Sequence, residues 1–285
     1  MPKTCANCAE AVLANDDKAL SALIAAGLDL EFKNAEGLTA CALAAGLGFS
    51  RCLALLISAG CDINAKSDNG ATAAMHATLQ NQPSSLAQLI AAGCHINAQC
   101  DKDFTAAMHA AYNDLPDCLD LLIAAGCDTE AANSKCETAG ILASKFGNPD
   151  CLSKLMLAKA NISAGDRDER NCAMWAAMAM YGSEKGHGQC LAMLIDAGCD
   201  IDAKSKNGMT AAMYASGNGQ IKQLAQLIAA GCDTKAKDGS GRTATQHAEK
   251  HHRTLCCGML EAEEQRKSLA DSIPDKAKNK KAIRM

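Results

Sequence analysis

Aromatic side chains are scarce: one Trp, three Tyr and four Phe make up 3% of 285 residues, although hydrophobic residues reach 48%. A core of large rings is excluded, so alanine and leucine must do the packing, which suits helix pairs stacked closely along a spine. No apolar run approaches the ~20 residues that cross a bilayer. The N-terminus lacks a charged segment followed by an apolar one, so neither a membrane span nor a signal peptide is expected. A formal net charge of −4 supplies no excess of Lys and Arg for a nucleic-acid backbone. There is no G-x-x-x-x-G-K-[ST] phosphate loop, no G-x-G-x-x-G after a strand and no H-E-x-x-H. Histidine and cysteine are plentiful, but a nucleophile needs a base within hydrogen-bond reach and a third group to orient it. Spacing singles out no such pair, and the sequence predicts a non-catalytic protein without a cofactor.

What the chain has instead is a period. Gly60–Ala77 reads G-C-D-I-N-A-K-S-D-N-G-A-T-A-A-M-H-A and returns in close copies at Gly93–Ala110 and Gly198–Ala215. With the glycine before Cys61 as register mark, the equivalents are Gly27, Gly60, Gly93, Gly126, Lys159, Gly198 and Gly231, at steps of 33, 33, 33, 33, 39 and 33 residues. Self-similarity at a fixed period is the signature of a repeat architecture, in which each unit contacts only its neighbours.

The helix opening Thr72-Ala73-Ala74-Met75-His76-Ala77 and the tail Gly60-Cys61-Asp62-Ile63-Asn64-Ala65 resemble the ankyrin-repeat family, whose motifs read T-P-L-H-x-A and G-A-D-V-N-A. Alanine stands here for the proline, a replaceable residue in the first turn of a helix. The resemblance covers roughly residues 4–262. It implies an all-α, ankyrin-type solenoid of helix-turn-helix repeats joined by β-turn or hairpin loops. The units run 1–36 (N-terminal cap, helices near Cys5–Ala14 and Lys18–Ala26), 37–69, 70–102, 103–135, 136–168 (divergent), 169–207 (with a six-residue insertion near Met180–Lys185), 208–240 and 241–267 (C-terminal cap). A charged tail follows at 268–285, expected to be disordered. Gly37, Gly70, Gly208 and Gly241 mark the turns, where positive φ favours glycine. Asp103, Cys136 and Glu169 replace it in the middle units, which predicts less ideal or differently shaped turns there. The segment Met178–Gly188 is expected to protrude as a longer helix and loop.

Cysteine is abundant, with 17 residues, but the repeat explains most of it. Cys61, Cys94, Cys127, Cys199 and Cys232 share the position after the register glycine, and Cys52, Cys118, Cys151, Cys190 and Cys256 share one early in the second helix. Equivalent residues of stacked helices sit ~8–10 Å apart, beyond the ~7 Å Cα limit for a disulfide. They read as small buried apolar residues in a reducing cytoplasm, or in a host cytosol for a delivered protein. Cys100 and Cys136, in turn regions, are the thiols expected to be exposed. The pair Cys5 and Cys8 lacks a second C-x-x-C at zinc-ribbon spacing. His247, His251, His252, Cys256 and Cys257 form the one dense cluster of metal-ligating types. His247 and Cys256 nevertheless occupy repeat-defined columns.

Five of the eight aromatics, Phe104, Tyr112, Phe146, Trp175 and Tyr181, fall in three adjacent units. Family resemblance places partner contacts at the turn tip (Phe104, Arg170) and on the outer first helix (Tyr112, Lys145, Phe146, Met178). Trp175 and Tyr214 fill the variable slot nearer the core. Trp, Tyr and Arg are enriched in interface hot spots. The expectation is a monomeric scaffold binding a protein partner, not nucleic acid or membrane, through the concave face of its central repeats. The competing class is a metal- or redox-responsive protein using the His/Cys cluster or exposed thiols.

Overall fold

The computed structural model describes residues 8–272, and every regular element among them is an α-helix. The chain divides into two compact units, one holding the chain to Ala143 together with Asn148–Asn161, the other Ser144–Gly147 and everything from Ile162 onward. In unit one the first helices of successive repeats, α1 (Cys8–Leu13), α3 (Ala40–Leu47), α5 (Ala73–Leu79) and α7 (Ala106–Tyr112), lie side by side. The second helices form a parallel row: α2 (Asp17–Ala25), α4 (Ser50–Ser58), α6 (Pro83–Ala91), α8 (Pro116–Ala124) and α10 (Pro149–Leu157). Helix α9 (Ala139–Phe146) starts in unit one and gives its last residues to unit two. In unit two the first helices are α11 (Cys172–Met178), α13 (Ala211–Asn218) and α15 (Ala244–Lys250), and the second are α12 (Glu184–Asp196), α14 (Ile221–Ala229) and α16 (Thr254–Ser272).

Several helices begin and end at local hydrogen bonds. Thr39 and Thr105 accept the backbone N–H three residues on, at 3.2 Å in both cases. Asn171, which replaces the threonine, accepts from Met174 N at 3.0 Å, so the N-cap function survives the change. At the other end the register glycine takes a left-handed φ, +82° at Gly60, and the N–H of Cys61 returns to the Leu56 carbonyl at 3.1 Å. This Schellman closure turns the residue after the glycine inward, which is why that column carries a small buried cysteine. Lys159 makes the same closure at φ +63°.

The core is the set of leucines on the second helices (Leu53 and Leu56, Leu119 and Leu122, Leu152 and Leu155, Leu191 and Leu194), all fully buried and each contributing ~1.5–3 kcal/mol on burial. They pack on first helices made of alanine and methionine, such as Ala73, Ala74, Met75 and Ala77, whose small volumes let the rows approach. Between repeats, side chains of the return loops accept backbone N–H groups 31 residues on. Asn64 takes His95 N at 2.7 Å, Asn97 takes Asp128 N at 2.8 Å, and Asp202 takes Asp233 N at 2.9 Å.

Three expectations need correction. The turns at Asp103, Cys136 and Glu169 are not misshapen: they hold φ of +59°, +58° and +60° and the same N–H return to the carbonyl three residues back as Gly37 and Gly70. The hydrogen bonds fix the turn, and the side chain bears the strain. Met178 is not exposed but 3% accessible; the helix closes directly after it at Ala179 (φ +42°). The segment Met178–Gly188 is held down in part: α12 is lengthened to 13 residues, as expected, and Met180–Lys185 are exposed. Its carbonyls accept side-chain amides of unit two (Asn218 to Met178 O at 3.2 Å, Gln220 to Ala179 O at 3.2 Å, Gln223 to Glu184 O at 3.4 Å), and Gly186 and His187 are buried. Helix α16 also continues through 268–272, where the sequence places the start of the tail; the rest of the tail and Cys5 lie outside the described residues.

Candidate functional site

A side chain at the fifth position of the T-P-L-H-x-A segment reaches the turn residue nine positions earlier. Ser67 Oγ and His76 Nε2 are 3.1 Å apart, Trp175 Nε1 donates to Asp166 Oδ2 at 3.1 Å, Tyr214 Oη donates to Ser205 Oγ at 3.2 Å, and His247 Nε2 lies 2.9 Å from Asp238 Oδ2. This column locks the turn tip to the first helix in four repeats. It is the signal that sequence reasoning missed, and the i, i+9 spacing of polar partners would have revealed it.

In unit one the turn tip and α7 bring Phe104, His109 and Tyr112 together. The Phe104 ring lies 5.1 Å from that of His109 and meets Tyr112 edge-on at 6.3 Å. Tyr112 is 42% exposed. Burial, aided by His76 and Lys102, pushes the His109 imidazole down to about 4, so this stack presents a neutral histidine at physiological pH.

In unit two Lys145, Phe146, Arg170, Trp175 and Tyr181 converge. Lys145 Nζ sits 4.4 Å from the Trp175 ring centroid, 5.6 Å from Tyr181 and 5.9 Å from Phe146, and the Arg170 guanidinium lies 4.4 Å from Trp175. Phe146 and Tyr181 pack at 5.5 Å, and Tyr181 is 44% exposed. Arg170 is fixed by Asp166 at 2.9 Å and Asp168 at 2.8 Å. The buried Asp166 carboxylate is satisfied by Arg170, by Trp175 and by the backbone N–H groups of Asp168 and Arg170. Each cation over an aromatic face adds ~0.5–2 kcal/mol, more as it is desolvated. Tyr214 belongs to the column above and takes no part in this cluster's ring contacts.

The other candidates do not assemble. His247 is buried and committed to Asp238, while His251 and His252 are exposed, Cys256 is buried and Cys257 is half-buried. No group of three His, Cys, Asp or Glu side chains among the described residues converges as a metal-ligand set. Burial raises the Asp238 carboxyl, but hydrogen bonds from Ser240, the Arg242 backbone and His247 outweigh it and hold the group well below the usual carboxylate range. Burial also pushes thiols up, Cys118 and Cys127 to about 11 and Cys151 and Cys232 to about 12, away from the reactive thiolate. Cys61 departs from this, its thiol lowered by a hydrogen bond from Cys41. Cys136 is exposed and Cys100 half-buried.

The family model described as ankyrin repeats (3 copies) matches residues 8–100, 107–204 and 179–270. Comparison with curated proteins gives no match. Among solved structures the chain is similar to the crystal structure of the human ASB11 ankyrin repeat domain, with a TM-score of 0.68 and 18% identity, covering 77% of this chain and 96% of that one. At that identity the likeness concerns the fold alone.

Proposed function

This chain belongs to the ankyrin-repeat family, and on that premise we propose that it is a non-catalytic scaffold that binds a protein partner through its turn tips and first helices. Ankyrin repeats are in general protein–protein interaction modules. The observation that carries the finer reading is the unit-two cluster, where an exposed tyrosine, a half-buried phenylalanine and two cations are packed around the chain's one tryptophan. Rings held by packing and hydrogen bonds lose little side-chain freedom when a partner docks, which lowers the cost of association. The Phe104–Tyr112 stack of unit one is a second docking element. The scaffold works as a monomer in a reducing cytosol, the compartment that suits described cysteines that are all free thiols. No helix of the described residues is long and apolar enough to cross a membrane.

The test is affinity capture from native lysate read by mass spectrometry, with the wild type set against two paired variants of retained helicity. Phe146→Ala with Tyr181→Ala is expected to lose the prey that wild type captures, and Phe104→Ala with Tyr112→Ala to weaken its capture. Equal capture by wild type and the unit-two pair would remove that cluster from the binding surface.

A further inference from the structure

His187 lies in the segment lengthened by the insertion, in the first turns of α12, and is fully buried. Both of its ring nitrogens face backbone carbonyl oxygens: Nδ1 lies 2.8 Å from Ser183 O, and Nε2 lies 3.0 Å from Lys145 O at the end of α9. A carbonyl oxygen accepts and cannot donate. A neutral imidazole has one N–H and one lone pair, so it satisfies one of these contacts and sets lone pair against lone pair in the other. The imidazolium satisfies both. Its charge also suits the place, because the last carbonyls of a helix have no intrahelical partner and carry the negative end of the helix dipole.

The backbone around the ring is shaped to admit it. A side chain at Gly147 (φ +70°) would strike His187 Nδ1 at 2.7 Å. Cβ atoms at Gly182 and Gly186 would lie 2.0 Å from the carbonyl oxygens of Phe146 and Gly147. Three glycines therefore let the insertion lie against the end of α9, with His187 as the side chain that bonds across.

We propose that protonated His187 is a clip that holds the insertion against the C-terminal end of α9, and that the clip loosens when the ring loses its second proton. The clip governs the neighbouring cluster, because Tyr181 rides on the insertion while Phe146 follows the carbonyl that His187 binds. Within unit two the charged groups on the surrounding elements are Lys145 on α9, Glu184 and Lys185 on α12, and Lys222 on α14. Glu184 is paired with Lys222 at 3.4 Å, Lys145 lies over the rings, and α11 carries no charged residue. Among the described residues no carboxylate forms an ion pair with the ring, so the two carbonyls are what selects the charged form. The second hydrogen bond exists only while both ring nitrogens carry protons.

Trp175 is the only tryptophan and touches this cluster, so its emission reports on the clip without any partner. The full chain is titrated from acid to alkaline pH while Trp175 emission is followed, and nitrogen-15 spectra of the imidazole rings are recorded at the acid end. Wild type is expected to show a proton on each His187 nitrogen and a shift in Trp175 emission as pH rises. In His187→Gln, which has no proton to lose, the shift should vanish. A pyridine-type nitrogen on His187 at the acid end would overturn the proposal, and so would an emission titration unchanged in His187→Gln or abolished by His247→Gln. Should His187→Gln not fold, the wild-type ring spectra decide alone. None of these readings involves binding, so their failure is separate from failure of the scaffold reading.

Discussion

The clusters of the two units occupy equivalent places in the repeat yet differ in chemistry. In unit one the column is occupied by Cys100 and His109; in unit two it is occupied by Asp166 and Trp175, which are hydrogen-bonded. The first arrangement buries a histidine that is neutral at pH 7 against Phe104. The second buries a carboxylate that fixes Arg170 and orients an indole under two cations. The column is one of several differences that turn a neutral aromatic patch into a cation-bearing one: Arg170 stands where Phe104 does, and Lys145 is supplied by the preceding repeat. The repeat supplies the position, and the column occupant together with its neighbours decides what is displayed there.

The largest expected effect tests whether the insertion is a built part of unit two. In Gly186→Ala the new Cβ would lie 2.0 Å from a backbone oxygen that cannot rotate away, and we expect a loss of about 3 kcal/mol or more, at the upper end of overpacking costs. Gly126→Ala in unit one has φ +80° with nothing within 4 Å of the added Cβ, so it should cost only the left-handed strain, about 1–2 kcal/mol. Urea unfolding of both variants measures the gap. Equal losses would mean that the insertion yields freely and that the two units do not differ in this respect.

The next effect separates the units by pH. The folded value of His109 lies near 4 against an ordinary 6.5, so the unfolded chain binds the proton more readily between these limits. Its contribution is fully present above pH 6.5 and is lost as pH falls toward 4, on the order of 3 kcal/mol at most. The depressed Asp238 carboxyl of unit two works at lower pH, its contribution being present above the ordinary carboxylate value and lost as pH falls through the folded one. Replacing His109 by the tyrosine found at the equivalent Tyr214 should leave stability at pH 7 little changed and raise it at pH 4.5 relative to wild type. Parallel acid profiles for wild type and His109→Tyr would show that the neutral histidine is not the acid-sensitive element of unit one.

How much of this was legible follows the same division. Where residues repeat, the sequence spoke clearly: the 33-residue period, the alanine and leucine core and the cysteine columns all rest on patterns seen several times. Asp166 and Trp175 were within reach through the nine-residue spacing. Lys145 over Trp175 was not, because it depends on the rotamer of one long side chain. Met178 was misplaced for a related reason: its column is exposed or half-buried in repeats such as that of Tyr112, and the path of the six unrepeated residues that follow Met178 has no counterpart from which its surroundings could be read. The one local sign of that path is the pair Gly182 and Gly186, since glycine within or beside a helix costs stability unless another backbone approaches closely.

The smallest effect concerns the turns that the two units share. Cys136 in unit one and Glu169 in unit two stand at the same repeat position, hold φ of +58° and +60°, and make the same hydrogen bonds as the glycines of regular repeats. An L-residue there bears about 1–2 kcal/mol of left-handed strain, which glycine relieves. Glycine also loosens the unfolded chain, at a cost of about 0.4–1 kcal/mol. Cys136→Gly and Glu169→Gly should therefore each stabilise the protein by about 0.5–1 kcal/mol, measurable by denaturant midpoint at constant slope. Equal gains would show that backbone strain at this position is set by the repeat alone, whatever the neighbouring cluster displays. A loss at Glu169→Gly beside a gain at Cys136→Gly would mean that the Glu169 side chain supports the Asp166–Arg170 turn, and that charge in unit two extends beyond the residues now seen to hold its tryptophan.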